Sequence, residues 1–480
     1  MKKTNNENYA LLVDFYELTM ANGYFLTDIK DEIVYFDLFF RNVPDKGGYA
    51  IFAGLAQVIE YIENLRFTED DIAYLRSKNR FDEGFLAYLK DFRFTGDIYA
   101  IPEGTVVFPG EPLITVRAKA IEAQLVETFL LLTINHQSLI ATKASRIMRA
   151  AGERVVFEFG TRRAHGPSSA ILGARAAYIA GVDGTSCTLT DKLYGVPASG
   201  TMAHSWIQIF DSEYDAFYAY AKLYPDNPTF LVDTYNVLES GVPNVIKVVK
   251  EVLWPQGLKK CNIRIDSGDL TYLSKEARKM LDAAGLTDCK IVVSNALDEK
   301  LITDLLNQGA SIDAFGVGEK LITSKSDPVF GGVYKLVAVE KDGEIIPKIK
   351  ISENVAKITT PHFKTLYRFY DKATDKAFAD VICVHDEIID ENKEYLLFHP
   401  EFPWKKKTVT NFRVRNLRKP IFLNGKKVYT EPSLEEIRAY CQEELASLWD
   451  EVKRFDNPHV YIVDLSKKLW DIKMSFLKKD

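Results

Sequence analysis

Ile263-Arg264-Ile265-Asp266-Ser267-Gly268-Asp269 reads as a strand ending in a polar turn with a glycine. The stretch that follows sets Leu270, Leu273, Ala277, Met280, Leu281 and Ala284 on one helical face and stops at Gly285. Strand, polar loop and amphipathic helix make one βα unit, and the chain repeats it. Residues 155–159 form an apolar strand before Gly160-Thr161-Arg162-Arg163. Residues 229–232 form another, before Asp233-Thr234 and a helix from about Val242. Residues 290–293 lead into Ser294-Asn295 and a helix opened by Asp298, with Leu301, Ile302, Leu305 and Leu306 inward and Gly309 at its end. Residues 313–317 end in Gly316-Val317-Gly318. Repeated units of this kind predict an α/β fold built on a parallel sheet, with function in the loops after the strands.

Around this repeat the rhythm differs. Leu11 to Met20 begins a helix that ends near Gly23, residues 32–40 alternate as a strand, and 54–65 have helical spacing. From Asp97 short strands alternate with Pro102-Glu103-Gly104 and Pro109-Gly110-Glu111-Pro112, a compact β-unit. Residues 121–151 are helical, read as two helices meeting near Asn135-His136. Strands and turns resume beyond Tyr334. Asn424-Gly425 marks a hairpin, and Ser433 with Glu436 forms a capping box for a helix running to about Phe455. The expected division is 1–137, an N-terminal α/β domain; 138–336, the βα domain; and 337–480, a C-terminal extension.

Composition narrows the function classes. A net charge of -6 with 27% charged residues argues against a general binder of nucleic acid or membrane surfaces, so positive charge for an anionic ligand must be local. The five cysteines are scattered and odd in number, with no CxxC, which points to reduced thiols in the cytoplasm and to no zinc site. The N-terminus lacks a signal-peptide core, and no apolar run is long enough to span a bilayer.

The chemistry-bearing residues gather in the loops. Ser199-Gly200-Thr201-Met202-Ala203-His204-Ser205-Trp206 follows a strand-like run, Leu193-Tyr194-Gly195-Val196-Pro197, and surrounds one imidazole with small residues. His204 reads as a chemical centre or as a hydrogen-bonded structural histidine; none of the seven histidines shows zinc spacing. Arg162 and Arg163 offer paired planar donors for carboxylate or phosphate, or ordinary surface ion pairs. Asp266 and Asp269 suit Mg²⁺ or ribose hydroxyls, and Asp269 equally suits a helix cap. Arg264 lies on the same strand face as Asp266, where a basic group needs an anion. Gly316-Val317-Gly318 is either a phosphate cradle or a tight turn. Tyr16, on a helix face, reads first as core.

In order along the chain, Leu12-Val13-Asp14-Phe15-Tyr16 with Thr19-Met20, Phe157 to Arg163, Gly200 to Ser205, Arg264 to Asp269, and Gly316-Val317-Gly318 with Tyr334-Lys335-Leu336 resemble the nicotinate phosphoribosyltransferases. The resemblance covers nearly the whole chain. It implies an irregular TIM-like α/β barrel between an N-terminal α/β domain and a C-terminal extension, in a homodimer with active sites near the subunit interface. It implies conversion of nicotinate and phosphoribosyl pyrophosphate to nicotinate mononucleotide and pyrophosphate in NAD salvage, coupled to ATP hydrolysis with Mg²⁺. By motif, His204 would be phosphorylated by ATP, with Asp266 as a further catalytic residue. Tyr16 of the partner subunit and Phe159 would flank the pyridine ring. Thr201 and Arg264 would meet nicotinate, Ser205 would be a further substrate contact, and Arg162 and Arg163 would serve the anionic substrates. Gly316, Gly318 and Thr323 would hold the phosphoribosyl group, and Ser267, Gly268 and Asp269 would be further substrate contacts. Glu319 stands where the family pattern has threonine. A carboxylate repels phosphate, so Glu319 is expected to point away or to bind metal.

Nicotinamide phosphoribosyltransferase shares the implied architecture, and Arg264 favours a carboxylate-bearing ring over an amide. Quinolinate phosphoribosyltransferases are much shorter. A nucleotide- or RNA-binding protein using the basic stretch from Lys405 to Lys427 conflicts with the acidic balance. A phosphosugar isomerase or aldolase would want a lysine or glutamate pair at strand ends.

Overall fold

Six short strands carry the βα repeat. In spatial order they are Gly184–Thr185, Val155–Glu158, Ala314–Val317, Lys290–Ser294, Asn262–Ile265 and Thr229–Leu231, all paired in parallel. Ile263, Ile265, Ile291, Val293, Phe315 and Val317 are fully buried, as expected of strands covered on both faces. Parallel pairing brings the C-terminal strand ends to one edge, so the loops after them are neighbours. The computed structural model describes residues 8–354 and 357–478. It divides into two units, one running from Lys143 to Pro328 with this sheet, the other drawn from the chain up to Thr142 and from Val329 onward.

Side-chain caps start the helices of the sheet unit. Asp269 accepts the Tyr272 N–H before Leu270–Ala283, and Asp298 accepts the Leu301 N–H before Glu299–Asn307. Gly285 and Gly309 follow these helices at φ 83° and 75°, the left-handed stop that glycine adopts without strain. Leu301, expected inward, is exposed, while Ile302 and Leu305 are buried. The helix expected from Val242 starts a turn earlier, at Val237, because the Asn236 side chain accepts the N–H groups of Leu238 and Glu239. The strand-like run at 193–197 is instead the end of the helix Thr188–Tyr194. Gly195, at φ 75°, closes that helix and donates its N–H to Asp191 O.

The other unit is organised on a seven-stranded antiparallel sheet. Its order is Glu344–Pro347, Gly332–Lys341, Ile33–Phe40, Ile114–Lys119, Asp97–Ala100, Lys419–Leu423 and Lys426–Lys427. Strands from both ends of the chain thus share one sheet. The alternation read at 32–40 becomes an interior strand, Ile33–Phe40, between Gly332–Lys341 and Ile114–Lys119. Asn424 and Gly425, at φ 50° and 72°, form the expected hairpin turn. The long helix does not break at Asn135-His136. It runs unbroken as Glu127–Ala151 after a short helix Ala120–Leu125, since neither residue disrupts helix and Ile134, Leu139 and Ile140 there are buried. The Ser433–Glu436 capping box is present, but its helix Leu434–Ser447 ends well before Phe455, where the backbone of buried Leu448 turns extended. A second sheet, Phe412–Asn416, Lys364–Asp371, Ala377–Val384 and Ile462–Leu465, buries Arg368 against Asp380 and Glu444.

All five cysteines are buried and unbonded. Among the described residues, no helix is long and apolar enough to cross a membrane.

Candidate functional site

At the edge of the parallel sheet, Arg264 is the hub. It lies between the buried Ile263 and Ile265, so its own side chain faces the opposite way. Its Nε donates to Ser294 Oγ at 2.9 Å, Nη1 to Thr201 Oγ1 at 2.8 Å, and Nη2 to Asp266 Oδ1 at 3.1 Å. Ser294 Oγ also donates to Asp266 Oδ1. The anion that a basic group on this strand requires is therefore partly supplied by Asp266. The guanidinium lies 6.0 Å from the centroid of the Phe159 ring, which stacks on Phe157. One aromatic face, one fixed cation and one hydroxyl from Thr201 thus converge.

His204 opens the short helix His204–Gln208 and is partly exposed. Its Nε2 lies 3.1 Å from Asp233 Oδ1. A carboxylate only accepts, so Nε2 is the donor of this pair, and in the neutral imidazole Nδ1 is the nitrogen with the lone pair. Asp233 Oδ2 accepts the Asp266 N–H at 3.0 Å and the Ser267 hydroxyl at 2.6 Å. Asp233 is 1% exposed in its side chain and joins the histidine loop to the Asp266–Asp269 turn. Sequence reading placed Asp233 in a strand-end loop and assigned it no role. The signal was its position: it follows Thr229–Leu231 as Asp266 follows Asn262–Ile265 on the neighbouring strand.

Glu158 lies within the motif Phe157 to Arg163, but nothing in the sequence alone gives it a role of its own. It is fully buried. Burial pushes its carboxyl up to about 7, opposed by bonds from Thr185 and from the Gly160 N–H.

The remaining candidates sort by place. Arg162 and Arg163 sit in the turn Thr161–Arg163, both exposed. Ser205 is exposed one residue past His204. Asp269 caps the next helix, and Gly268 stands at φ 82°, a conformation that disfavours other residues. The glycines of Gly316-Val317-Gly318 are explained by close approach. A Cβ on Gly316 would run into the Phe159 ring, and one on Gly318 would lie 3.1 Å from Phe159 O. Thr323 Oγ1 donates to Glu319 O at 2.8 Å. Glu319 pairs with Lys325 at 2.6 Å, and Lys325, with a smaller contribution from Arg163, holds its carboxyl below the usual range. Tyr16 belongs to the other unit, on the helix Phe15–Phe25, and is exposed although that face reads as core. The shielded part of its ring, with the Glu127 carboxylate beside it, raises its phenol above the usual range.

No cluster of three or more histidine, cysteine or acidic side chains suited to a metal exists among the described residues. Asp269 spends one oxygen on its cap, and Asp266 Oδ1 is shared by Arg264 and Ser294. Two carboxylate oxygens remain at the turn, enough to help hold a cation that arrives with ligand phosphates but not to cage one.

A parallel βα sheet that gathers a guanidinium, a histidine–aspartate pair and exposed paired arginines at its strand ends has the groups an α/β enzyme uses to meet an anionic ligand. Family models match three consecutive parts of the chain: the nicotinate phosphoribosyltransferase N-terminal domain at residues 11–135, the nicotinate phosphoribosyltransferase family at 155–385, and the C-terminal domain of the same enzymes at 363–473. The chain belongs to the nicotinate phosphoribosyltransferase family. It is 46% identical to the nicotinate phosphoribosyltransferase of Bacillus subtilis, over 98% of this chain and 95% of that one. The crystal structure of human nicotinic acid phosphoribosyltransferase superposes with a TM-score of 0.85 at 30% identity, covering 96% of this chain and 99% of that one. A nicotinate-nucleotide pyrophosphorylase from Pyrococcus furiosus shares the fold at a TM-score of 0.71 and 24% identity, over 93% and 98%.

Proposed function

We propose that the protein condenses nicotinate with phosphoribosyl pyrophosphate to give nicotinate mononucleotide and pyrophosphate, and couples this to ATP hydrolysis through His204. Family membership supports the reaction. The observation that carries the residue roles is the Arg264–Thr201–Asp266–Ser294 network beside the His204–Asp233 pair.

The nicotinate carboxylate sits on Arg264 and Thr201, with the ring along Phe159. The pyridine nitrogen attacks C1 of the ribose as pyrophosphate leaves through an oxocarbenium-like state. Arg162 and Arg163 take up the departing charge, and Ser205 lies on the nicotinate side. Ser267, Gly268 and Asp269 hold the ribose, and Gly316, Gly318 and Thr323 the 5′-phosphate. Asp266 fixes Arg264 and faces the developing positive charge on the sugar. Asp269 would help hold a Mg²⁺ brought by the substrate phosphates, which would supply charge neutralisation at the leaving group. In the ATP step, His204 Nδ1 takes the γ-phosphoryl group and ADP leaves. Asp233 holds the Nε2 proton and stabilises the charge that develops on the ring. Water later releases phosphate.

In this reading the six strands are the wall of an irregular barrel, the segments 1–137, 138–336 and 337–480 are the three domains, and the enzyme works as a cytoplasmic homodimer. Tyr16 then closes the pyridine slot of the partner subunit. Mixing Tyr16→Ala enzyme with His204→Ala enzyme, which lacks the ATP-coupled activity, restores ATP-coupled turnover if sites are shared between subunits.

The test is incubation with γ-labelled ATP, acid-labile phosphate mapping, and comparison of nicotinate with nicotinamide as substrate. Label on His204 and a preference for nicotinate are expected. Label on another residue sinks the coupling mechanism, and a preference for nicotinamide sinks the substrate assignment.

A further inference from the structure

The two oxygens of Glu158 serve two different loops. Oε1 accepts the Gly160 N–H, which begins the turn carrying Arg162 and Arg163. Oε2 accepts the Thr185 hydroxyl at 2.7 Å. Thr185 in turn grips the segment that leads to the histidine: its N–H donates to Pro197 O at 3.0 Å, and its carbonyl accepts the Ser199 N–H at 2.8 Å. Ser199 lies two residues before Thr201, which Arg264 holds, and five before His204. The same link is doubled nearby, where the hydroxyls of Thr161 and Ser186 are 2.9 Å apart and the Ser186 N–H donates to Glu158 O at 2.9 Å. Thr185 Oγ1 also accepts the Cys187 N–H, at 3.0 Å, so its own proton is directed at Glu158.

A buried carboxylate is a costly way to hold two loops if either could be held by backbone alone. Its particular property is that both bonds end on one rigid, planar group. A displacement of the histidine segment is then transmitted to the arginine turn. We infer that Glu158 is a positioning residue that couples the His204 segment to the arginine turn, so that the state of His204 sets how the arginines grip the phosphoribosyl substrate. This rests on the reading of His204 as phosphoryl acceptor and of the arginines as substrate ligands. Glu158 itself touches neither loop's reacting atoms.

The test uses the full-length enzyme with Glu158→Gln, Thr185→Val and Thr185→Ser. Glutamine is nearly isosteric but turns one of the two acceptors into a donor that faces a donor. Valine removes the hydroxyl, and serine keeps it. For Glu158→Gln and Thr185→Val, the KM for phosphoribosyl pyrophosphate measured with ATP rises roughly tenfold. The KM without ATP barely changes, and more than one ATP is consumed per mononucleotide formed. Thr185→Ser behaves as the parent enzyme. If Glu158→Gln fails to fold, the valine–serine contrast at Thr185 decides alone. Unchanged KM values and ATP stoichiometry in the variants overturn the proposal, as does a lowered melting temperature with unaltered kinetics per active site. If the parent enzyme itself places no label on His204, the underlying reading fails, visibly and separately from any effect of the variants, and the coupling role goes with it.

Discussion

Asp233 holds His204 by one oxygen and the Asp266-Ser267 turn by the other, so the histidine segment and the turn after the neighbouring strand share a single buried carboxylate. Asp233→Asn keeps the shape but presents an amide, which can donate where the carboxylate only accepted. The imidazole then loses its fixed tautomer and the stabilisation of its charged form. The rate of His204 phosphorylation should fall by roughly 10²-fold or more, within the range for a positioned proton partner. Turnover without ATP should fall much less. Rapid-quench measurement of acid-labile label in the variant checks this, and an unchanged phosphorylation rate would exclude the role.

Arg264 makes three side-chain contacts to protein and still presents a largely shielded charge, 15% exposed, to the slot beside Phe159. Arg264→Lys keeps the charge but loses the planar fork that spans Ser294, Thr201 and Asp266. The expected result is a KM for nicotinate raised roughly 10- to 100-fold, as for a lost charged hydrogen bond, with a smaller effect on the KM for phosphoribosyl pyrophosphate. Steady-state kinetics with each substrate varied in turn separates the two. Equal rises in both KM values would mean that the residue only supports the sheet edge.

Gly316 is small because the Phe159 ring lies against it. Gly316→Ala forces that ring aside, at an overpacking cost of about 1–3 kcal/mol. The variant should fold with a modestly lowered melting temperature and bind nicotinate more weakly. Titration calorimetry with nicotinate reads this directly. Full affinity in a folded variant would remove Phe159 from the ring site.

How much of this was legible beforehand follows from the kind of signal. The βα repeat was readable because parallel strands buried on both faces become apolar runs, and because Asp269, Asp298, Gly285 and Gly309 punctuate the helices by local chemistry alone. Arg264 and Asp266 were readable as a pair because strand alternation fixes their common side. Asp233 and Glu158 were missed because each role depends on a partner 25 or more positions away, Ser267 and His204 in one case, Thr185 in the other. The run at 193–197 misled because a few apolar residues before a proline do not distinguish a strand from the last turn of a helix. The shared sheet of the chain's two ends was out of reach for the same reason as Asp233. Nothing local in Ile33–Phe40 says that it will pair with Gly332–Lys341.

Glu17 offers a test of stability against pH in the other unit. It is fully buried on the helix that carries Tyr16, with one oxygen bonded to the Thr128 hydroxyl at 2.6 Å and the other without a partner. Burial pushes its carboxyl up to about 8, with Glu127 and Asp14 adding to the rise and Thr128 opposing it. The folded state therefore binds a proton that the unfolded chain releases at its ordinary value near 4.5. For a raised pKa, the stabilising contribution is complete below the unfolded value and is lost as pH climbs through the folded one. The parent protein should lose stability on this account between about pH 4.5 and 8, and no further above that. Glu17→Gln is neutral throughout and escapes the loss, although its buried amide N–H lacks an acceptor and costs about 1–3 kcal/mol at every pH. Melting curves at pH 5, 7 and 9 should show the variant level with or below the parent at pH 5 and gaining on it by several degrees at pH 9. Parallel pH profiles for the two proteins would show that Glu17 does not carry a proton in the folded state.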